Sequence, residues 1–213
     1  MPKFRHEKSY RGKDAMTKLA NADLVICGAG AIGSNLAVNL VRSGFRKICV
    51  VDRDRVEEHN IGTQAYALDD VGAKKADILR NLIFRELGEE IDGRAVELNA
   101  RNASKILRKE SVVIDCFDNS LSRKLLFDYC KTNAIDCLHL GVNEGYGEIR
   151  WNEKYLVPDD GGLDLCDYPL ARNLILLVVA AASEVLVNFV INDQRRNYSI
   201  TLGDLQINHD SDL

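Results

Sequence analysis

Three glycines, several carboxylates and a lysine fall at spacings that suit a polyphosphate. Gly28-Ala29-Gly30-Ala31-Ile32-Gly33 is a G-x-G-x-x-G turn. Gly28 permits the tight turn, Gly30 lets a phosphate approach the backbone, and Gly33 lets the next helix pack closely on the strand before it. The N–H groups opening that helix, including those of Ala31 and Ile32, point at an anion with the helix dipole behind them. Asp52 ends the next apolar run, Ile48 to Val51, where a carboxylate can accept hydrogen bonds from a ribose. Asp52-Arg53-Asp54 then leads into Glu57-Glu58-His59-Asn60 and Gln64. Lys75 follows Gly72 by one helical turn, and Asp118-Asn119 follows an apolar strand, with Arg123 one turn into the next helix.

This set suits chemistry on a nucleoside triphosphate. A carboxylate at a strand's end, Asp118, can hold Mg²⁺, which prefers oxygen ligands and the company of phosphates. A lysine beside it can neutralise charge on a transferring phosphoryl group. No G-K-[ST] is present, so the turn is not a P-loop. Each residue also has a plainer reading. Taken alone, Lys74 and Lys75 are more often solvated helix charges, Asp118-Asn119 reads also as a helix N-cap, and the glycine turn as an empty feature of its fold.

The elements that position these residues follow from periodicity. Leu24 to Gly28 reads as a buried strand, and Ile32 to Ser43 as a helix closed by Gly44. Lys47 to Asp52 is a second strand, and Arg53 to Asp70 a long polar loop. Gly72 to Leu87 is a helix, with Ala76, Leu79, Ile83 and Leu87 at helical spacing. Arg94 to Leu98 reads as a third strand, Ala103 to Arg108 as a short helix, and Ser111 to Phe117 as a strand buried on both faces. Leu121 to Asn133 is helical and Ile135 to Leu140 a fifth strand. This alternation predicts an α/β fold with a doubly wound, mainly parallel Rossmann-like sheet, whose ligands bind beyond the carboxyl ends of the strands. Gly28, Asp52 and Asp118 are thereby expected around one crevice.

From Gly141 the pattern changes. Glu144 to Glu153 suggests an antiparallel hairpin, Val157 to Asp167 an acidic loop with the pair Gly161-Gly162, and Ala171 to Ile191 an apolar helix. Tyr198 to Leu202 is a last strand. The expected organisation is one domain over 1–213, with an N-terminal arm over 1–21 that ends in a short helix from Lys13 to Leu19, and a flexible tail over 203–213, disordered from Asn208.

Composition narrows the partners. The 213 residues carry 28 basic and 32 acidic groups, a net charge of −4, which leaves no basic excess to neutralise a nucleic acid. Six cysteines show no C-x-x-C pair, and Cys27, Cys49 and Cys116 sit in apolar runs, so the compartment is expected to be reducing and cytoplasmic. Met1 to Lys13 lacks the apolar core of a secretory signal. Leu174 to Val190 is interrupted by Ser183, Glu184 and Asn188, and reads as a buried or dimer-forming helix rather than a membrane span.

The order GxGxxG-S (Gly28 to Ser34), D-x-D-x-V-E-x-x-N (Asp52 to Asn60), G-x-x-K-A (Gly72 to Ala76) and D-N-x-x-x-R (Asp118 to Arg123) resembles the ThiF/MoeB/HesA superfamily, the ubiquitin-activating-enzyme-like adenylyltransferases. The likeness runs from about Leu24 to Asn192. It implies binding of ATP and Mg²⁺ and adenylation of the C-terminal carboxylate of a small ubiquitin-like or sulfur-carrier protein, with release of pyrophosphate. By the same resemblance, Asp52 would hold the ribose, Asn60 and Gln64 would lie near the phosphates, and Lys75 would stabilise the α-phosphate. Asp118 would bind Mg²⁺, and Asp54 and Asn119 fall in the same nucleotide-binding motifs.

Two departures stand out. Relatives place an arginine before the glutamine, where this chain has Thr63; Arg53, Arg55, or Arg5 or Arg11 from a second subunit are candidate replacements. The paired C-x-x-C motifs that hold zinc in many relatives are missing, so no zinc is expected. Cys166 lies where relatives carry a thiol that receives the carrier, although Asp164 and Asp167 beside it disfavour a thiolate. A nucleotide-binding scaffold without turnover and an NAD-dependent dehydrogenase remain as alternative readings.

Overall fold

The computed structural model describes residues 2–158 and 169–210; Cys166 with its neighbours Asp164 and Asp167, and the pair Gly161-Gly162, lie outside them. Five strands run parallel: β1 (Asp23–Cys27), β2 (Lys47–Val51), β3 (Asp92–Arg94), β4 (Val112–Asp115) and β5 (Cys137–Asn143). Three more continue the same sheet in antiparallel pairing: β6 (Tyr146–Trp151), β7 (Tyr198–Thr201) and β8 (Gln206–His209). The order is β3-β2-β1-β4-β5-β6-β7-β8. The chain leaves β1 toward β2 on one side and later returns to β4 on the other, so the switch point lies between β1 and β4. The doubly wound sheet, the antiparallel extension and the apolar helix are as the sequence predicts.

Alternating side chains of the central strands feed two cores. Leu24, Ile26, Ile48, Val50 and Ile114 pack with α3 (Ala31–Ser43), α4 (Lys75–Leu87) and α7 (Arg172–Asn192) on one face. Val25, Cys27, Cys49, Val51 and Val113 pack with α5 (Ala103–Ile106) and α6 (Ser120–Asn133) on the other. Burial on both faces explains the nearly unbroken apolar runs of β1, β2 and β4. The 21 residues of α7 are long and apolar enough to cross a bilayer, yet Leu174, Ile175, Val178, Val179, Ala182 and Leu186 are buried inside the fold. The outward remainder includes Leu176 and Ala180.

Three segments differ from the sequence expectations. The 1–21 arm holds two helices, α1 (Arg5–Arg11) and α2 (Lys13–Asn21), that fold onto α7: Arg11 pairs with Glu184 at 2.8 Å, and the Lys18 ammonium donates to the Ile191 carbonyl at 2.7 Å. Strand β3 lies earlier than Arg94–Leu98, because Gly93 allows an approach to α4 that a side chain would block; a Cβ there would sit 2.5 Å from the Ala76 carbonyl oxygen. Val96 and Leu98 instead lie in a loop that buries Leu98 and exposes Val96. Within the expected tail 203–213, β8 forms an ordered edge strand through backbone pairing with β7 and the Arg150–Asp210 ion pair. Its four residues are all exposed, so no apolar pattern announces it.

Candidate functional site

Parallel register brings the functional ends of three strands level. Cys27 of β1 lies opposite Val51 of β2 and Asp115 of β4, so Gly28, Asp52 and Cys116 leave the sheet side by side. Gly28 has φ +97°, and a Cβ there would sit 2.8 Å from the Cys116 carbonyl oxygen. A Cβ on Gly33 would fall 1.9 Å from the Gly28 carbonyl oxygen. Both positions demand glycine. Nothing lies within 4 Å of a Cβ built at Gly30, so the turn's outer face is open. Gly30 is also the N-cap of α3, with no side chain to satisfy the first-turn amides of Ala31, Ile32 and Gly33.

A loop from the β2–α4 connection supports this turn from below. The Tyr66 hydroxyl donates to the Ala29 carbonyl at 2.8 Å. The Ser34 hydroxyl donates to Gly30 O at 2.7 Å and accepts from the Ala65 N–H at 3.1 Å. Asn35 Nδ2 donates to Thr63 O at 2.9 Å. Buried Tyr66 has its phenol pushed up by burial and further by Asp52 and Asp70. The sequence reading missed Tyr66 and Asn35, since a lone aromatic in a polar loop carries no periodic signal; Ser34 stood within the quoted glycine motif.

Asp52 faces the turn with 8% of its surface exposed. Its Oδ2 accepts from Ala29 N–H at 2.6 Å and its Oδ1 from Asp54 N–H at 2.7 Å. Burial raises its carboxyl above the usual aspartate value, and those two N–H donors and the Lys75 charge pull it partly back. Lys75 is the first residue of α4 and is also 8% exposed. Its N–H donates to Asp54 O at 3.0 Å. A short ladder fixes this helix start: Val56 N–H donates to Ala73 O at 2.9 Å, and Gly72 N–H to Val56 O at 2.8 Å. Among the described residues, no carboxylate pairs with the Lys75 ammonium.

The remaining predicted residues divide. Asn60 is buried, and its Oδ1 accepts from Glu57 N–H at 2.9 Å to close its own turn, leaving the amide nitrogen over. Gln64 Oε1 is buried without a hydrogen-bond partner. Asp54 is exposed and lies 3.6 Å from the Arg53 guanidinium. Asp118 is exposed just past the Cys116–Phe117 backbone that lines the glycine turn, and its Oδ1 accepts from Asn119 Nδ2 at 3.2 Å. Asn119 is the N-cap of α6, accepting from Ser122 N–H at 2.9 Å. Of the four replacement arginines, Arg11 is bound to Glu7 and Glu184, Arg53 to Glu97, and Arg55 to the Gly72 carbonyl; Arg5 is exposed on α1.

Beneath Asp118 runs a buried polar chain. His139 bonds Asp115 Oδ2 through Nδ1 and Asn152 Oδ1 through Nε2, each at 2.8 Å, and stacks on Tyr155 with centroids 3.7 Å apart. Arg123 donates to Tyr155 OH at 3.0 Å and to Leu140 O at 2.8 Å, and lies 3.6 Å from Asp115. Burial opposes ionisation of Asp115, but Arg123, His139 and the Phe117 N–H outweigh it and hold the carboxyl below its ordinary value. The Asp115 Oδ1–Phe117 N–H bond, at 3.0 Å, ties this chain to the loop that carries Asp118. Arg123 and His139 are thus both members of this buried chain.

An open sheet wound on both faces, with a glycine turn at its switch point, defines the Rossmann-like class. Residues 5–175 match the model of the ThiF family, and the chain belongs to that family. It is 33% identical over 142 residues to the sulfur carrier protein ThiS adenylyltransferase of Bacillus subtilis, covering 64% of this chain and 42% of that protein. It is 30% identical over 163 residues to the SAMP-activating enzyme E1 of Haloferax volcanii, covering 75% and 58%. It is 29% identical over 136 residues to tRNA threonylcarbamoyladenosine dehydratase 1 of Saccharomyces cerevisiae, covering 61% and 32%. The chain therefore spans under two thirds of the length of each of these relatives. The crystal structure of E. coli MccB with ATP superposes with a TM-score of 0.79 at 18% identity, over 99% of this chain and 70% of that one, which is a likeness of fold.

Proposed function

We propose that this chain adenylates a carboxylate, using ATP and Mg²⁺, and that the carboxylate is the C-terminus of a small ubiquitin-like or sulfur-carrier protein. Lys75 carries this reading: it is buried near enough to Asp52 for its charge to act on that carboxyl, and among the described residues no carboxylate forms an ion pair with it. A site for a nicotinamide dinucleotide would leave that cation without a task. The residues suit the nucleotide in other ways. The open face at Gly30 and the uncapped amides of Ala31 to Gly33 offer an anion cradle. Each Asp52 oxygen keeps a lone pair free for a ribose hydroxyl after accepting its one N–H. Gln64 Oε1, buried and unpaired, awaits a donor such as a hydroxyl or metal-bound water.

When bound, ATP supplies an electrophilic α-phosphorus that the carboxylate attacks, with pyrophosphate leaving. The chain's own residues position and neutralise; none need bond covalently for this step. Lys75 places positive charge beside the α-phosphate. Asp118 would offer one carboxylate to Mg²⁺, which prefers oxygen ligands and would supply charge neutralisation beside the phosphates. Among the described residues no group of three or more His, Cys, Asp or Glu side chains could hold a metal, so the nucleotide itself would bring most of the shell.

Relatives named for sulfur-carrier and SAMP activation support a protein carrier, and the net charge of −4 favours it over a tRNA substrate. The same reading takes the working unit as a homodimer in a reducing cytoplasm, neither membrane-bound nor nucleic-acid-bound. The free thiols of Cys27, Cys49, Cys116, Cys130 and Cys137 suit that compartment. Pyrophosphate exchange into ATP, dependent on a carrier ending in Gly-Gly, tests the proposal. ATP binding with no exchange across a panel of such carriers would favour the scaffold reading instead.

A further inference from the structure

Two successive carbonyls of the turn after Asn60 are held from two different helices. Asn35, one turn into α3, donates to Thr63 O at 2.9 Å. Arg172, the first residue of α7, donates from Nη1 to Gly62 O at 3.4 Å. Farther along both helices, Asn39 of α3 donates to Ser183 of α7 at 2.8 Å. The two helices therefore run side by side in the same direction. Their N-terminal ends open on the same edge, and α7 delivers Arg172 to the edge where the glycine turn opens.

The state of Arg172 differs from that of its basic neighbours. Its residue is exposed, its one hydrogen bond is long, and no carboxylate pairs with it among the described residues. Four of the five guanidinium N–H donors have no partner among the described residues. Arg53 and Arg55, by contrast, make short bonds of 2.6 Å to Glu97 and to Gly72 O. Thr63, at the tip of the turn, offers a hydroxyl and no charge. A triphosphate at the glycine turn carries more negative charge than Lys75 neutralises alone.

We propose that Arg172 is the cation that meets the β- and γ-phosphates and neutralises departing pyrophosphate. This rests on the adenylation reading. In that step a carboxylate oxygen bonds to the α-phosphorus. The bond from that phosphorus to the α,β-bridging oxygen breaks, and its electron pair leaves on pyrophosphate. Arg172 gains and loses no proton; it contributes charge and a fork of N–H donors suited to phosphate oxygens.

The test compares two probes on the full chain by calorimetry: the β,γ-methylene analogue of ATP with Mg²⁺, and AMP. Arg172→Ala is expected to weaken the analogue about tenfold or more, the loss of a charge-assisted contact, and to leave AMP unchanged. The first residue of a helix, exposed to solvent, can be truncated without loss of fold, and an unchanged unfolding midpoint checks this. Equal affinity of wild type and variant for the analogue overturns the inference, as does an equal loss for analogue and AMP. A wild-type protein that binds neither probe overturns the adenylation reading and this inference together. Wild-type binding with an indifferent variant removes only the role of Arg172.

Discussion

Lys75 is buried, and among the described residues no carboxylate forms an ion pair with its ammonium. Truncation to alanine removes the charge while the helix start stays anchored by its backbone bond to Asp54. Lys75→Ala is therefore expected to lower carrier-dependent pyrophosphate exchange by about 10²–10³-fold, the usual loss for one preorganised electrostatic contact, while ATP still protects the fold against heat. Asp115 acts on stability instead. Its folded carboxyl lies below the ordinary value, so its stabilising contribution is present above the unfolded pKa near 4 and fades as pH drops through the lower folded value. Asp115→Asn should cost about 3 kcal/mol or more at pH 7 by stranding Arg123 and His139. In urea titrations that gap should shrink below about pH 4; a gap independent of pH would refute the assignment. At this scale the sequence singles out Asp52, Lys75 and Asp118 because each stands at a fixed offset from a strand end or a glycine. It did not reveal Tyr66 or Arg172, whose partners Ala29 and Gly62 lie far along the chain. Asn119 and Asn60 were legible by type, yet each uses its Oδ1 for a local turn or cap.

The elements differ in how much they constrain. The β1–α3 junction tolerates almost nothing, since a methyl at Gly33 would meet backbone at 1.9 Å and backbone cannot rotate aside. Gly33→Ala is expected to destabilise by about 1–3 kcal/mol and to abolish ATP protection, because relief requires the turn itself to open. Gly147 of β6 is the control: a Cβ there would meet Val178 Cγ2 at 2.5 Å, a side chain on α7 and not the backbone of the turn. Gly147→Ala should lose stability and retain ATP protection. If the two variants lost protection equally, the glycine turn would have no special role. Strand β1 and helix α3 were legible because apolar run, glycines and helical period agree there. Strand β3 was misplaced because its short edge depends on Gly93 approaching α4, a tertiary contact. Strand β8 was missed because an exposed edge strand is held by its backbone ladder, which has no compositional mark.

For the whole molecule, the deciding question is which nucleotide the fold retains. A glycine turn at a switch point accommodates the pyrophosphate of NAD or the phosphates of ATP equally well. The difference lies in the surrounding charge, because ATP brings more negative charge and needs cations beyond the turn. The net charge of −4 provides no long-range attraction for either ligand, so selectivity must arise locally, from Lys75 and the crevice around it. Ligand binding to the folded state alone stabilises it by about 2.7 kcal/mol at a concentration one hundred times Kd. For a chain of this size that lifts Tm by roughly 5–10 °C. ATP with Mg²⁺ is expected to produce such a shift and NAD at equal concentration to produce little. The ATP shift should also shrink in Lys75→Ala, since weaker binding at a fixed concentration leaves less stabilisation. Preferential protection by NAD would instead make Lys75 a bystander and return the fold to the dehydrogenase reading.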